Sequence, residues 1–274
     1  MTGYREVLLD HLSSYADREL KVERRGSYRG RGYRHILDPN DWQLNLLPQY
    51  RAALTDYLQS ATHLKRHDGF HHLNSSQAFA LNLFFPYFSN PRASPILADA
   101  LGEDGAISNL QFELVLDEDE ETNIDVAWRR ASPLGAYANA PTYCEVKLTE
   151  GGFGAAENDE RHRWKLGTLY KPRLRDIVPD DMLSEESFFP RYQIFRNIAL
   201  LHGRTDSRLI FLFPRANAAL DRQLQQVLPG LAPGAAQRVR IRHIEDVIAA
   251  LIWDPRADGQ FTEYARALAA KYLP

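Results

Sequence analysis

Three runs of alternating side chains between Gln111 and Leu148 constrain this chain more than any other feature. Phe112, Leu114 and Leu116 alternate with Gln111, Glu113 and Val115; Ile124, Val126 and Trp128 with Asn123, Asp125 and Ala127; and Cys144, Val146 and Leu148 with Tyr143, Glu145 and Lys147. Strand side chains alternate faces, so this period of two predicts three successive strands whose apolar sets enter a core. The segments between them, an acidic run at 117–122 and a stretch at 129–141 with Pro, Gly and Asn, carry turn chemistry. Glu113, Asp125, Glu145 and Lys147 are then expected to converge on the opposite face. Three carboxylates and one ammonium at the edge of a small sheet form a donor set suited to a hard cation.

The segments on either side read as mostly helical. Val7, Leu8, Leu12, Tyr15 and Leu20 give residues 4–22 a helical spacing. In VERRGSYRGRGYRHIL, Arg24, Arg25, Arg29, Arg31 and Arg34 interleave with Tyr28 and Tyr33, with too much glycine for a stable helix. This predicts a loop or irregular hairpin, with Arg29 and Arg31 as candidates for phosphate and base contact, or else a solvated basic loop. Asp38 to Asp41 resembles a helix start, with a helix through roughly 41–63 despite Pro48. His63, His67, His71 and His72 crowd the next segment, but no cysteine or close carboxylate pattern completes a zinc site, and capping, packing or substrate contact is expected of His71 and His72.

HHLNSSQAFALNLFFPYF offers Asn74 or Ser75 as an N-cap and then a nearly all-apolar helix, whose Gln77 and Asn82 need buried partners. Ser76 and Gln77 at its start are candidates to point toward the acidic site. Gly151, Gly152 and Gly154 suit a flexible loop leaving the third strand; no GKS or GKT follows, so it is not a phosphate-binding loop. FFPRYQIFRNIALLHG reads as an amphipathic helix ending at Gly203, and SRLIFLFPR as a fourth, buried strand. Residues 217–228 and 243–253 read as helices, with RVRIRHI as a short strand between them and a last helix in FTEYARALAAKYL. Lys165, Lys171, Arg173 and Arg175 are candidates to line a nucleic-acid groove, although each alone is an ordinary solvated charge.

A net charge of -3 gives no global bias toward nucleic acid, so such a surface must come from local clustering. A single cysteine, Cys144, excludes an internal disulfide framework and fits a reducing cytoplasm. The charged N-terminus does not resemble a signal peptide, and no apolar run approaches the roughly 20 residues that cross a bilayer. The expectation is a soluble cytoplasmic protein with no membrane partner.

Asp125 followed about twenty residues later by Glu145-Val146-Lys147 is the arrangement that metal-assisted phosphodiester hydrolysis uses. Glu-x-Lys alone is weak evidence, since Glu19-Leu20-Lys21 also matches it, but only the second match sits on a strand with an acidic partner strand. On these residues, the chain resembles the PD-(D/E)XK nuclease superfamily, in a restriction-endonuclease-like branch. The resemblance covers residues 70–215 and rests on the HLNSSQAFALNLFFP helix, the TNIDV strand and the EVKLTEGGFG strand.

That resemblance implies an α/β fold: a restriction endonuclease-like α-β-α core around a mixed four- to five-stranded sheet, with an N-terminal helical extension. It places the nuclease-like domain at 71–274 and the extension with its Arg/Tyr loop at 1–70. It implies a Mg2+-dependent nuclease, with Mn2+ able to substitute, acting on DNA, and it allows a homodimer. Asp125 and Glu145 would be metal ligands with the Val146 carbonyl, and Lys147 the catalytic lysine. The first helix offers no acid before Glu103, so Glu113 is the stand-in candidate. Ile124 replaces the family's proline. Gln193 resembles a glutamine of exonuclease-type branches, although Asn197 stands where their tyrosine would be; Gln193 and Arg196 are candidates beside the site. The alternatives are an inactive nucleic-acid-binding module of the same fold and an RNA-directed nuclease.

Overall fold

The computed structural model describes residues 3–61, 64–117, 122–131 and 140–274. His63 and the turn segments 118–121 and 132–139 lie outside the described residues. The arginine-tyrosine segment forms a hairpin of β1 (Arg25–Tyr28) and β2 (Arg31–Leu37). Its two-residue turn requires positive φ at both central positions, and Arg29 (51°) and Gly30 (76°) supply it. Arg25 and Arg34 at its base both pair with Asp17.

The central sheet holds five strands in chain order. β3 (Ala106–Asp117), β4 (Thr122–Ala131) and β5 (Pro141–Val146) form an antiparallel meander; β6 (Arg208–Phe213) and then β7 (Val239–His243) continue parallel to β5. Parallel neighbours need a crossover, and the helical segments 160–201 and 218–236 provide one each. On β5 and β6 period-two alternation divides the side chains between two apolar layers. Cys144, Val146, Ile210 and Leu212 enter the first, while Tyr143, Leu209, Phe211 and Phe213 enter the second. On β4 the alternation slips at Asp125, so that Ile124 joins the second layer and Val126 and Trp128 the first. Helices cover both faces, giving the expected restriction-endonuclease-like α-β-α fold.

The first layer is built on the helix Ser76–Phe88. Ser75 caps it by accepting the Ala78 N–H at 3.2 Å, while Asn74 donates instead to Thr149 Oγ1 at 2.7 Å. Phe79, Leu81, Leu83 and Phe84 are fully buried, each contributing about 1.5–3 kcal/mol of transfer free energy. Leu8 and Leu12 of the helix Tyr4–Tyr15 share this layer with Tyr264 and Leu268 of the C-terminal helix Gly259–Tyr272. Leu37 N–H donates to His71 O and Leu73 N–H to His35 O, which fastens the hairpin to the lead-in of the helix Ser76–Phe88.

A long helix over 41–63 does not form. A 3-10 turn at Pro39–Asn45 and a helix at Arg51–Ser60 replace it, with Pro48 between them. Proline has no N–H to donate and its ring obstructs the preceding turn, so the chain breaks there. Among the described residues, no helix is long and apolar enough to cross a membrane.

Asn82 is fully buried and fully used. It accepts from Leu47 N–H at 2.9 Å and donates to Asn45 O at 3.0 Å and Tyr272 Oη at 2.8 Å. Asn82→Ala would leave the Leu47 N–H and the Tyr272 hydroxyl without their partner in an apolar layer. It is expected to cost about 2–4 kcal/mol in urea denaturation; a loss under about 1 kcal/mol would mean that water replaces the amide there.

Candidate active site

The paired register of β4 and β5 ends at Val126 and Cys144, and the next residues inward are Asp125 and Glu145. Asp125 Oδ2 accepts the Val146 N–H at 2.7 Å, which ties the β4 carboxylate to the end of β5. On the other side, the pairs Phe112–Val126 and Leu114–Ile124 put Glu113 opposite Asp125. The three acids thus lie across three adjacent strands with Asp125 in the middle.

Glu145 is only 1% exposed, so its charge depends on donors. Gln193 Nε2 meets Oε1 at 2.7 Å and Asn197 Nδ2 meets Oε2 at 2.9 Å, both from the helix Tyr192–Ile198 in the second layer. Lys147 Nζ lies 2.8 Å from Oε1. The spacing of four between Gln193 and Asn197 puts both on one helix face. Gln193 is held in turn: its backbone N–H donates to Gly154 O, and its Oε1 accepts the Gly154 N–H, each at 2.9 Å. The glycine loop therefore closes back on the site.

Glu113 is turned the other way, toward the helix Ser76–Phe88. Gln77 Nε2 donates to its Oε1 at 3.0 Å, Asn123 Nδ2 approaches Oε2 at 3.4 Å, and His67 Nε2 lies 3.5 Å from Oε1. Its φ of 51° is unusual for a non-glycine residue within a strand and costs on the order of 1 kcal/mol. The bond from Glu113 raises the His67 imidazole above its ordinary pKa, against the opposing effect of burial.

Burial, and then the like charge of Glu145, push the Asp125 carboxyl well above the usual carboxylate range; Glu113 adds to this, while Lys147 and the Val146 N–H oppose it. For Lys147, burial favours the neutral amine, but Glu145 and Asp125 outweigh it and hold the ammonium pKa above the usual lysine range. Among the described residues, Asp125 has no ion-pair partner of its own, and no three His, Cys, Asp or Glu side chains group as a metal cage.

The remaining candidates are placed as follows. Ser76 lines a cavity of about 310 Å³ with His67, Asn74, Thr149 and Glu150. Arg29 and Arg31 are exposed at the hairpin tip, their guanidiniums over the rings of Tyr28 and Tyr33 at 5.2 and 5.6 Å. Arg196 is half-buried, with Nη2 3.5 Å from Asn123 O. Lys165 is 4% exposed and lies within the fold rather than on a groove. The competing Glu19-Leu20-Lys21 triplet ends a helical segment instead of lying on a strand, with Lys21 at φ 50°. Asn197 and Asn123 escaped the sequence reading as partners of these acids. Asn197 was legible only as the fourth residue after Gln193; nothing in the sequence marked Asn123 beyond its place before Asp125.

A family model described as "Restriction Endonuclease associating with ARP" matches residues 9–273. No curated protein and no solved structure matches the chain.

Because the fold disfavours an ionised Asp125, Asp125→Asn is expected to raise the melting temperature of the metal-free protein near neutral pH. The gain should fade as pH falls through the ordinary carboxylate range, where Asp125 is protonated folded and unfolded alike. Thermal denaturation in chelator at both pH values reads this directly; a lower melting temperature for the variant near neutral pH would contradict it.

Proposed function

Because the chain belongs to this restriction-endonuclease family over residues 9–273, we propose that it is a metal-dependent nuclease of the PD-(D/E)XK type, hydrolysing phosphodiester bonds in DNA. The observation that carries the reading is the meeting of Asp125 and Glu145 on neighbouring strands beside the ammonium of Lys147, 2.8 Å from Glu145.

The donor set fits Mg2+, with Mn2+ as its substitute. Magnesium needs few protein oxygens and keeps several waters. Two carboxylates and the Val146 carbonyl suit that habit, and the repulsion that raises Asp125 is what a cation would relieve. Bound there, the metal would offset phosphate charge and make a coordinated water more acidic. Gln193 and Asn197 hold Glu145 in one orientation, and the Val146 N–H holds Asp125, so the two acids are preorganised. Lys147 stays protonated beside them, which suits it to orient the attacking water and stabilise charge on the phosphate rather than to act as a free base. Glu113, which Gln77 holds toward the helix Ser76–Phe88, adds its charge to that around Asp125. Arg29, Arg31 and Arg196 are proposed as phosphate contacts, with Ser76 on the cavity side. The family description also names an associate, ARP, and a partner of that kind belongs to the same reading.

Incubation of plasmid and oligonucleotide DNA with Mg2+ or Mn2+ tests this. Cleavage is expected with either metal, to stop in chelator, and to fall by about a hundredfold or more in Asp125→Ala and Lys147→Ala. Cleavage that survives both substitutions would remove the assignment, and preference for RNA over DNA would redirect it. Mg2+ should also raise the melting temperature of the native protein and leave that of Asp125→Asn unchanged.

A further inference from the structure

The helical run that follows the glycine loop has no role in the site just described. It comprises Glu160–Lys165, a π-turn over Leu166–Tyr170, and Lys171–Leu174. Leu166, Tyr170 and Leu174 are buried in the second layer. On the opposite side Arg161, Trp164, Thr168, Lys171 and Arg175 are exposed, at successive spacings of three, four, three and four. Such spacing keeps residues on one side of a helix. Residues 160–175 contain six Lys and Arg and one acid, Glu160, in a chain whose net charge is -3. At the centre of this basic side Trp164 is 56% exposed. Leaving so large an apolar ring in water gains the fold little, and tryptophan is the side chain best suited to face-to-face contact.

We propose that this side of residues 161–175 binds an unpaired stretch of a DNA substrate, Trp164 stacking on a base while Arg161, Lys171 and Arg175 meet backbone phosphates. The inference rests on the nuclease reading for the identity of the polyanion. The run is anchored to the helix that holds Glu145. Tyr170 Oη lies 3.2 Å from Tyr192 Oη, Ala156 N–H donates to Phe189 O at 2.9 Å, and the Gly154–Gln193 bonds complete the join. A strand lying along its exposed side is thus carried on a segment joined to the helix that orients Glu145.

The chemistry favours an unpaired strand over the other occupants. A duplex hides the faces of its bases, so an exposed indole finds a stacking partner only where a base is free. A membrane-surface helix needs a continuous apolar face. Here the exposed neighbours of Trp164 are Glu160, Arg161, Arg163, Gly167 and Thr168, which supply none.

The test is fluorescence anisotropy of a labelled single-stranded oligonucleotide, its duplex and anionic phosphatidylserine vesicles, in chelator so that nothing is cut. The native protein is expected to bind the single strand more tightly than the duplex. Trp164→Ala should weaken single-strand binding about tenfold with an unchanged melting temperature, and Trp164→Phe should recover most of it. Lys171→Ala with Arg175→Ala should lower affinity and flatten its dependence on salt. Unchanged single-strand affinity in Trp164→Ala, or a loss confined to vesicles, would overturn the proposal. Cleavage with Mg2+ is scored separately. A protein that binds through Trp164 but never cuts DNA removes the nuclease reading and keeps this one. A protein that cuts DNA while Trp164→Ala binds as before does the reverse.

Discussion

A carboxylate that is 1% exposed survives in an α-β-α sandwich only if donors surround it, and Glu145 is surrounded by three. Lys147 comes from just past the end of the same strand; Gln193 and Asn197 come from a helix about fifty residues later. Satisfying that one side chain fixes the docking of the helix Tyr192–Ile198 onto β5 and draws in the glycine loop through Gly154. The parallel strand β6 follows directly from that helix, so its place beside β5 depends on the same contact.

Asp125 stands in contrast. It receives one backbone N–H, sits between two other acids, and has a carboxyl that the fold would rather keep protonated. Glu113 at φ 51° adds backbone strain on the same row. Unrelieved repulsion and strain are thus concentrated at one edge of a well-packed sheet, which supports the cation site proposed there. The surrounding layers tolerate this because helices such as Ser76–Phe88, with almost every side chain buried, stabilise the frame independently.

Much of this frame was legible before any coordinates. Alternation at Phe112–Leu116, Ile124–Trp128 and Cys144–Leu148 marked the meander, and the apolar run of Leu209–Phe213 marked the buried fourth strand. That Gln77 needs partners was legible because a polar side chain on a mostly apolar helix must find them; it meets both the backbone of Lys65 and His67 and the carboxylate of Glu113. The failure over 41–63 came from weighting a helical pattern above Pro48, whose missing N–H decided the break.

By itself the sequence determined the elements, their order, and the chemistry available on each strand, because period and composition are local properties. Only tertiary structure decided which acid is satisfied and which is left repelled. Asp125, Glu145 and Lys147 look alike in the sequence as polar positions on strands. Their different environments arise from side chains brought in by distant segments: Asn197 against Glu145, Gln77 and His67 against Glu113, and no cation of its own against Asp125 among the described residues. The same holds for Lys165 and Trp164, adjacent in the chain, where packing of the second layer buries the cation and leaves the indole in water. Burial is a property of the assembled layers, and a hydrophobic scale read along the chain would have assigned those two residues the other way round.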